Sequence, residues 1–403
     1  MKKSFINIVF IILLIYTLVG IVTHPKLALD SAHDSLLTWF NVVIPSLLPF
    51  FIISEILIRI GFVNFIGKLL EPLMKPIFNV PGISAFPFSM SIISGYPTGI
   101  KIISSLRSKN LISKTEAERT MCFSSTSGPL FMIGAVSIGM LNNPSIVPLV
   151  IYPHYFGALT IGFLFRFYKK GEDNLSHYYT LQKKNLNTSA NNININIKKT
   201  SIGKIISDSI RSSINTITLI GGFMIIYTVL VEIIFVSNFF SLFIKFIQKL
   251  IPVQINIEVI KALFAGIFEL TTGCTKISTT NLGLMQKIIL INFLIGWSGF
   301  SVHSQAISFL SNTDINSKIY IIAKLLHGSL ASIYTILLYA FIYKDIIKPS
   351  FYPYPCYPTD SIFILEWSNL LLGSFKLALL MSLCLLISSF IMMFIKYLFQ
   401  QNN

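Results

Sequence analysis

Charge is what this chain has least of. Only 12% of its 403 residues are Asp, Glu, Lys or Arg while 53% are apolar, too little polar surface to cover a soluble domain of this size in water. Acids are scarcer still, 16 against 31 Lys plus Arg. The resulting +15 does not read as a nucleic-acid footprint, because the basic residues are spread between apolar runs rather than gathered with stacking aromatics on one module. The four cysteines, Cys122, Cys274, Cys356 and Cys384, stand apart with no CxxC pair, so they read as ordinary core residues and not as a zinc or dithiol site. No P-loop, HExxH pair, EF-hand loop or nucleophile elbow occurs, which argues against ATP hydrolysis. No metal, no cofactor and no enzymatic activity are expected.

Long apolar runs are what the chain has instead. A spanning helix takes about 20 mainly apolar residues, and eight segments meet this: Phe5–Val22, Leu36–Ile60, Thr120–Leu141, Ile146–Phe167, Ser213–Val236, Lys287–Leu310, Ile319–Tyr343 and Leu371–Ile395. No A-x-A-like cleavage pattern follows the first, so it reads as a retained span. Two more apolar stretches, about 82–106 and 257–282, are cut in the middle by Gly, Pro, Thr and Ser. Broken backbone at membrane depth must find its hydrogen bonds in protein or in a wet cavity. These two read as re-entrant hairpins.

With both hairpins returning to their side of origin and the N-terminus inside, the internal segments collect twenty Lys/Arg and the external ones eight. That bias places both termini in the cytoplasm. The two hairpins then enter from opposite sides, as in an inverted-topology repeat. Thr98-Gly99 with Lys101-Ile102 recurs as Thr272-Gly273 with Lys276-Ile277, and Ser127-Gly128 recurs as Ser298-Gly299, at separations of 174, 175 and 171 residues. The fold expected is therefore an all-α polytopic membrane protein, with about eight transmembrane helices plus two re-entrant hairpins in an inverted repeat. Its parts are an N-terminal helix and short external loop (1–35), a first repeat (36–167), a hydrophilic Asn-rich cytoplasmic linker (168–200), a second repeat (201–343), and an external loop with a C-terminal helix (344–403).

Four polar clusters interrupt the apolar pattern: "SGYPTGIK" (Ser94–Lys101), "SSTSGP" (Ser124–Pro129), "ELTTGCTKIS" (Glu269–Ser278) and "GWSGFSVHSQ" (Gly296–Gln305). A Gly or Pro break frees N–H groups at the start of the following half-helix, and these aim partial positive charge into the gap. The candidate solute contacts are Ser94, Gly95, Tyr96, Thr98, Gly99 and Lys101 in the first cluster, and Ser125, Thr126, Ser127 and Gly128 in the second. The third offers Glu269, Thr271, Thr272, Gly273 and Lys276, and the fourth Ser298, Ser301, His303 and Gln305. Small residues also mediate helix contacts in membranes, and Lys101 and Lys276 can instead snorkel to the interface. An acid near the membrane centre costs ~2.5 to 3.5 kcal/mol even on the lenient scale, so Glu269 reads as functional or ion-paired. His154, His327 and Glu55 lie in spans without such company and read as structural.

The runs "SGYPTGIK", "TSGPLFMIGAV", "ELTTGC" and "GFSVHSQ", in this order, resemble the YlbJ family of sporulation integral membrane proteins over about 36–343. The family bears the nucleoside-recognition, or Gate, domain and is similar to concentrative nucleoside transporters with paired hairpins. The resemblance implies a place in the mother-cell membrane that becomes the outer forespore membrane, and movement of dipicolinic acid toward the spore. A small dianion suits half-helix N-termini, hydroxyls and lysines, whereas a nucleoside needs no such charge. Trp297 stands where a smaller residue is expected. Three other readings stay open: a structural sporulation factor whose Gate-like domain docks a partner, a transporter of nucleoside-like solutes, and an enzyme using Glu269 and His303. The expected partners are a small anionic solute and membrane lipid, with no nucleic acid, and homo-oligomers stay open.

Overall fold

Proline and glycine set many of the helix boundaries in the computed structural model, which describes residues 2–60, 62–169, 201–250 and 256–343. Among these every regular element is helical. α1 (Lys2–Thr23) stops at His24, and Pro25 opens α2 (Pro25–Thr38), where a missing N–H removes no helical hydrogen bond. The two helices bend by 106°. A π-helical turn, Trp39–Val43, joins α2 to α3 (Ile44–Arg59), so the expected crossing Leu36–Ile60 is built from three pieces. α4 (Phe62–Phe78) follows, then a short turn of 3-10 helix and α5 (Ala85–Ser94). Gly95, Tyr96 and Pro97 separate α5 from α6 (Thr98–Ser108).

Ser113 and Glu116 close a capping box at the start of α7 (Lys114–Phe123). Sequence hydropathy predicts that this helix carries on through Leu141. Instead the backbone leaves the helix from Ser124 to Gly128 and resumes as a π-helix over Phe131–Met140. Pro129 disfavours helical backbone at the residue before it, and the Ser91 hydroxyl accepts from the Thr126 N–H at 2.8 Å, in place of a helical carbonyl. α8 (Val147–Phe165) completes the first half.

The second half opens with α9 (Ile202–Val236), followed by α10 (Asn238–Leu250), α11 (Ile257–Phe268) and α12 (Leu270–Ser278). A single residue, Glu269, separates α11 from α12. α13 (Leu284–Trp297) and α14 (Gly299–Leu310) are likewise parted by one residue, Ser298, and α15 (Ser317–Leu338) ends in a π-helical turn to Tyr343.

Four stretches among the described residues are long and apolar enough to cross a bilayer, Pro144–Phe165, Ile202–Val236, Leu284–Leu310 and Ser317–Tyr343, and the number is six if each of two bent pairs is one span. Eight is thus not reached among the described residues. The expected span Leu371–Ile395, the external stretch Pro349–Pro358 and the linker from 170 to 200 lie outside them.

The apolar core crosses between halves. Ile100, Ile103 and Leu106 of the first hairpin pack with Ala306, Leu310 and Tyr320 of the second half. Cys274 and Ile277 of the second hairpin pack with Met132 and Val136 of the first. Each hairpin therefore rests on the opposite half's interrupted helix. At the rim, Arg107 holds Asp314 through two hydrogen bonds of 2.8 and 3.0 Å, which draws the Asp314 carboxyl below its ordinary value of 3.8.

Candidate functional site

The first hairpin turn and the first helix interruption form one unit. Gly95 sits at φ +80, and a Cβ there would come 2.8 Å from the Gly128 nitrogen, so only glycine permits both the left-handed turn and the approach. The Ser94 hydroxyl donates to the Met90 carbonyl and meets the Thr98 hydroxyl at 2.9 Å, and those of Ser91 and Thr126 meet at 3.0 Å. Ser127 donates its N–H to His154 Nε2 at 2.9 Å, and its carbonyl accepts from the Tyr155 hydroxyl.

The second turn and second interruption pair in the same way. Ser298 adopts φ +71 and Gly299 φ +76, and a Cβ on Gly299 would lie 3.1 Å from the Leu270 nitrogen. Glu269 accepts from the N–H groups of Thr271 (3.1 Å) and Thr272 (2.7 Å) and from the Thr272 hydroxyl (2.8 Å). It is the N-cap of α12, satisfying donors that a helix start leaves without partners. Glu269, read from sequence as functional or ion-paired, is thus engaged by hydrogen bonds at the helix start. Lys276 meets Glu232 of α9 at 2.8 Å, and Gly273 lies in the tight contact between α11 and α12.

The other candidate lysine is engaged similarly. Lys101 lies 3.5 Å from Glu55 of α3 and donates to the Ser212 hydroxyl of α9, while Arg59 bridges Glu55 (3.2 Å) and Asp208 (3.6 Å). Glu55, read from sequence as structural and companionless, is thus the partner of a candidate site residue. In both halves a lysine on the hairpin's second limb is tied to a glutamate late in a long helix. The lysines are 175 residues apart and the glutamates 177.

Between the two turns lies a group that spacing did not find. Lys324 of α15 is fully buried. Its ammonium donates to the Ser125 carbonyl at 2.9 Å, approaches His327 Nδ1 at 3.5 Å, and stands 5.1 Å from the centre of the Tyr96 ring. His327 packs ring to ring with His154 at 4.6 Å and bonds the His154 carbonyl through Nε2 at 2.8 Å. The Tyr96 hydroxyl donates to the Ile295 carbonyl in the other half, and the Ser125 and Tyr320 hydroxyls meet at 3.2 Å. A lysine at membrane depth costs ~2.5 to 3.5 kcal/mol on the lenient scale. No carboxylate lies within ion-pair distance of it among the described residues. His154 and His327, read from sequence as structural residues without polar company, both belong to this polar centre.

His303 bonds the Trp297 carbonyl at 2.8 Å and stacks edge-on to the Trp297 ring at 4.2 Å. Trp297 itself donates to the Ile267 carbonyl, so it wedges between the second hairpin and the second interruption. Ser301 and Gln305 are buried on α14, 3.5 Å apart. Three atoms in this region are buried without a hydrogen-bond partner: Ser124 Oγ, His154 Nδ1 and His303 Nδ1. Buried polar atoms are normally satisfied, so these three have capacity for a ligand or water. A cleft of about 570 Å³, lined by Asn215, Thr218, Leu219, Gly222, Phe223 and Ile226 on one side of α9, shares no residue with this centre.

Residues 40–144, which include α3, the first hairpin and the first interruption, match the family model of the Gate domain, described as nucleoside recognition. The chain is 39% identical over 331 residues to the sporulation integral membrane protein YlbJ of Bacillus subtilis (strain 168), covering 80% of each. No solved structure matches. Shared apolar composition does not produce identity of this level across four-fifths of two chains, and the matched stretch brings the interrupted elements with it. The chain belongs to the YlbJ family of sporulation integral membrane proteins.

Proposed function

We propose that this protein carries dipicolinate out of the mother cell across the membrane that becomes the outer forespore membrane, by alternating access around its two hairpins. One observation carries the reading. Two interrupted hairpins and two interrupted helices meet in a buried, hydrogen-bonding centre inside an otherwise apolar helical body. Interrupted helices that meet in the interior of a transporter are where solutes bind, and non-helical backbone at that depth is tolerated only inside protein or along a cavity.

Residues 36–167 and 201–343 are read as two repeats of inverted topology. The matching Glu–Lys ties and the 173-residue separation of the paired His154 and His327 support that frame. The hairpins are read as re-entrant, each moving against the interrupted helix of the other half. The sporulation role rests on the relative's name, and the solute on the family resemblance. Spores formed by cells lacking this protein should contain little dipicolinate, with wild-type content restored by the intact gene. Normal dipicolinate content without the protein would contradict the proposal.

The Gate description favours a second reading, a neutral nucleoside as solute. A buried lysine without a carboxylate partner among the described residues favours the anion, whose charge would stabilise the ammonium.

A further inference from the structure

We infer that Lys324, together with the His154–His327 pair, is the receptor for a carboxylate group of the transported solute. The inference takes its solute from the transport reading and its residues from local geometry.

Donor logic fixes the state of each group. The Ser127 N–H can only donate, so His154 Nε2 accepts, and a neutral His154 carries its hydrogen on Nδ1. That Nδ1 is buried and has no partner. The His154 carbonyl can only accept, so His327 Nε2 carries a hydrogen and its Nδ1 is left to accept from Lys324. Both imidazoles are thus neutral, which leaves Lys324 as the group of the cluster that can carry the positive charge a bound carboxylate calls for. Its ammonium has three donors, of which the Ser125 carbonyl takes one and His327 Nδ1 another. The third faces no oxygen acceptor among the described residues, with the Tyr96 ring as its neighbour. A buried lysine that as an ammonium has a spare donor, and a neighbouring imidazole with an unused N–H, together lack an anionic acceptor with two oxygens. A carboxylate supplies one, through charge-assisted hydrogen bonds.

The lysines singled out by the sequence do not have this property, since each already holds a glutamate. Lys324 has no counterpart in the other half, where the position 173 residues earlier is Ile151. The single charge therefore sits to one side of an otherwise paired centre, and one carboxylate per binding event is the natural stoichiometry.

The test is thermal stabilisation of the purified full chain in detergent by dipicolinate, picolinate, succinate, the neutral pyridine-2,6-dicarboxamide and uridine. Wild type is expected to respond to dipicolinate and not to the diamide, and Lys324→Gln should weaken the dipicolinate response tenfold or more. Equal dipicolinate affinity in wild type and Lys324→Gln would overturn the inference while leaving the transport reading in place. Stabilisation by succinate but not dipicolinate, lost in Lys324→Gln, would support Lys324 and refute dipicolinate as solute. Stabilisation by uridine alone, or by none of the five, would overturn the inference. If Lys324→Gln does not fold, Lys324→Arg keeps the charge but moves it on a longer, planar group, so the ratio of dipicolinate to picolinate affinity should change. An unchanged ratio would count against the assignment.

Discussion

At Gly99 the two polar interruptions of the first half come closest. A Cβ there would fall 1.8 Å from the Ser124 carbonyl oxygen, a clash with backbone that no rotamer change relieves. Overpacking costs ~1 to 3 kcal/mol and occasionally more, and Gly99→Ala should lie at or above the top of that range. Gly222, exposed on α9 with nothing near an added Cβ, is the control, since alanine there should gain ~0.5 to 1 kcal/mol from helix propensity. Thermal unfolding in detergent should rank Gly222→Ala at or above wild type and Gly99→Ala far below. Equal stability of Gly99→Ala and wild type would contradict the close approach. The polar character of this unit was legible because four hydroxyl- and glycine-rich motifs stand out against apolar surroundings. Lys324, His154 and His327 were not legible. They are single polar residues scattered in apolar helices, and the contacts that gather them, Lys324 to Ser125 and His327 to His154, span 199 and 173 positions, which no local pattern encodes. Glu269 was half legible: the cost of burying it was evident, but the cap that offsets the cost depends on the backbone turn.

Helices and hairpins are held in register by two ion pairs. Lys276 and Glu232 keep 36% and 21% of their side chains exposed, so their coupling should fall between the ~1 kcal/mol or less of a surface pair and the ~3 to 5 kcal/mol lost when a buried pair is broken. A double-mutant cycle with Glu232→Gln and Lys276→Met should show the double variant recovering part of the loss of either single one. Strict additivity would mean that the pair does not join α12 to α9. At this scale the sequence was informative where hydropathy and punctuation agree, as in α8, α9 and α15. It erred at Thr120–Leu141, where apolar composition runs through a stretch whose N–H groups are taken by side chains from α5 and α8. The bend at Pro25 and the π-helical turns escaped for a related reason. Hydropathy counts residues that lipid tolerates and is blind to the direction of the helix axis.

The whole molecule combines a lipid-compatible exterior, with Phe156, Phe163, Leu325 and Ile333 exposed along α8 and α15, with a polar interior built from both halves. Neither half completes that interior alone: Tyr96 bonds a carbonyl of the second half, and Lys324 bonds one of the first. On the proposed transport reading, the solute is received at this centre. The most direct measurement is uptake of radiolabelled dipicolinate into proteoliposomes containing this protein alone. The account predicts saturable uptake above that of protein-free vesicles, competed by unlabelled dipicolinate and not by uridine. Uptake equal to that of protein-free vesicles, with the protein shown to be folded and inserted, would contradict it.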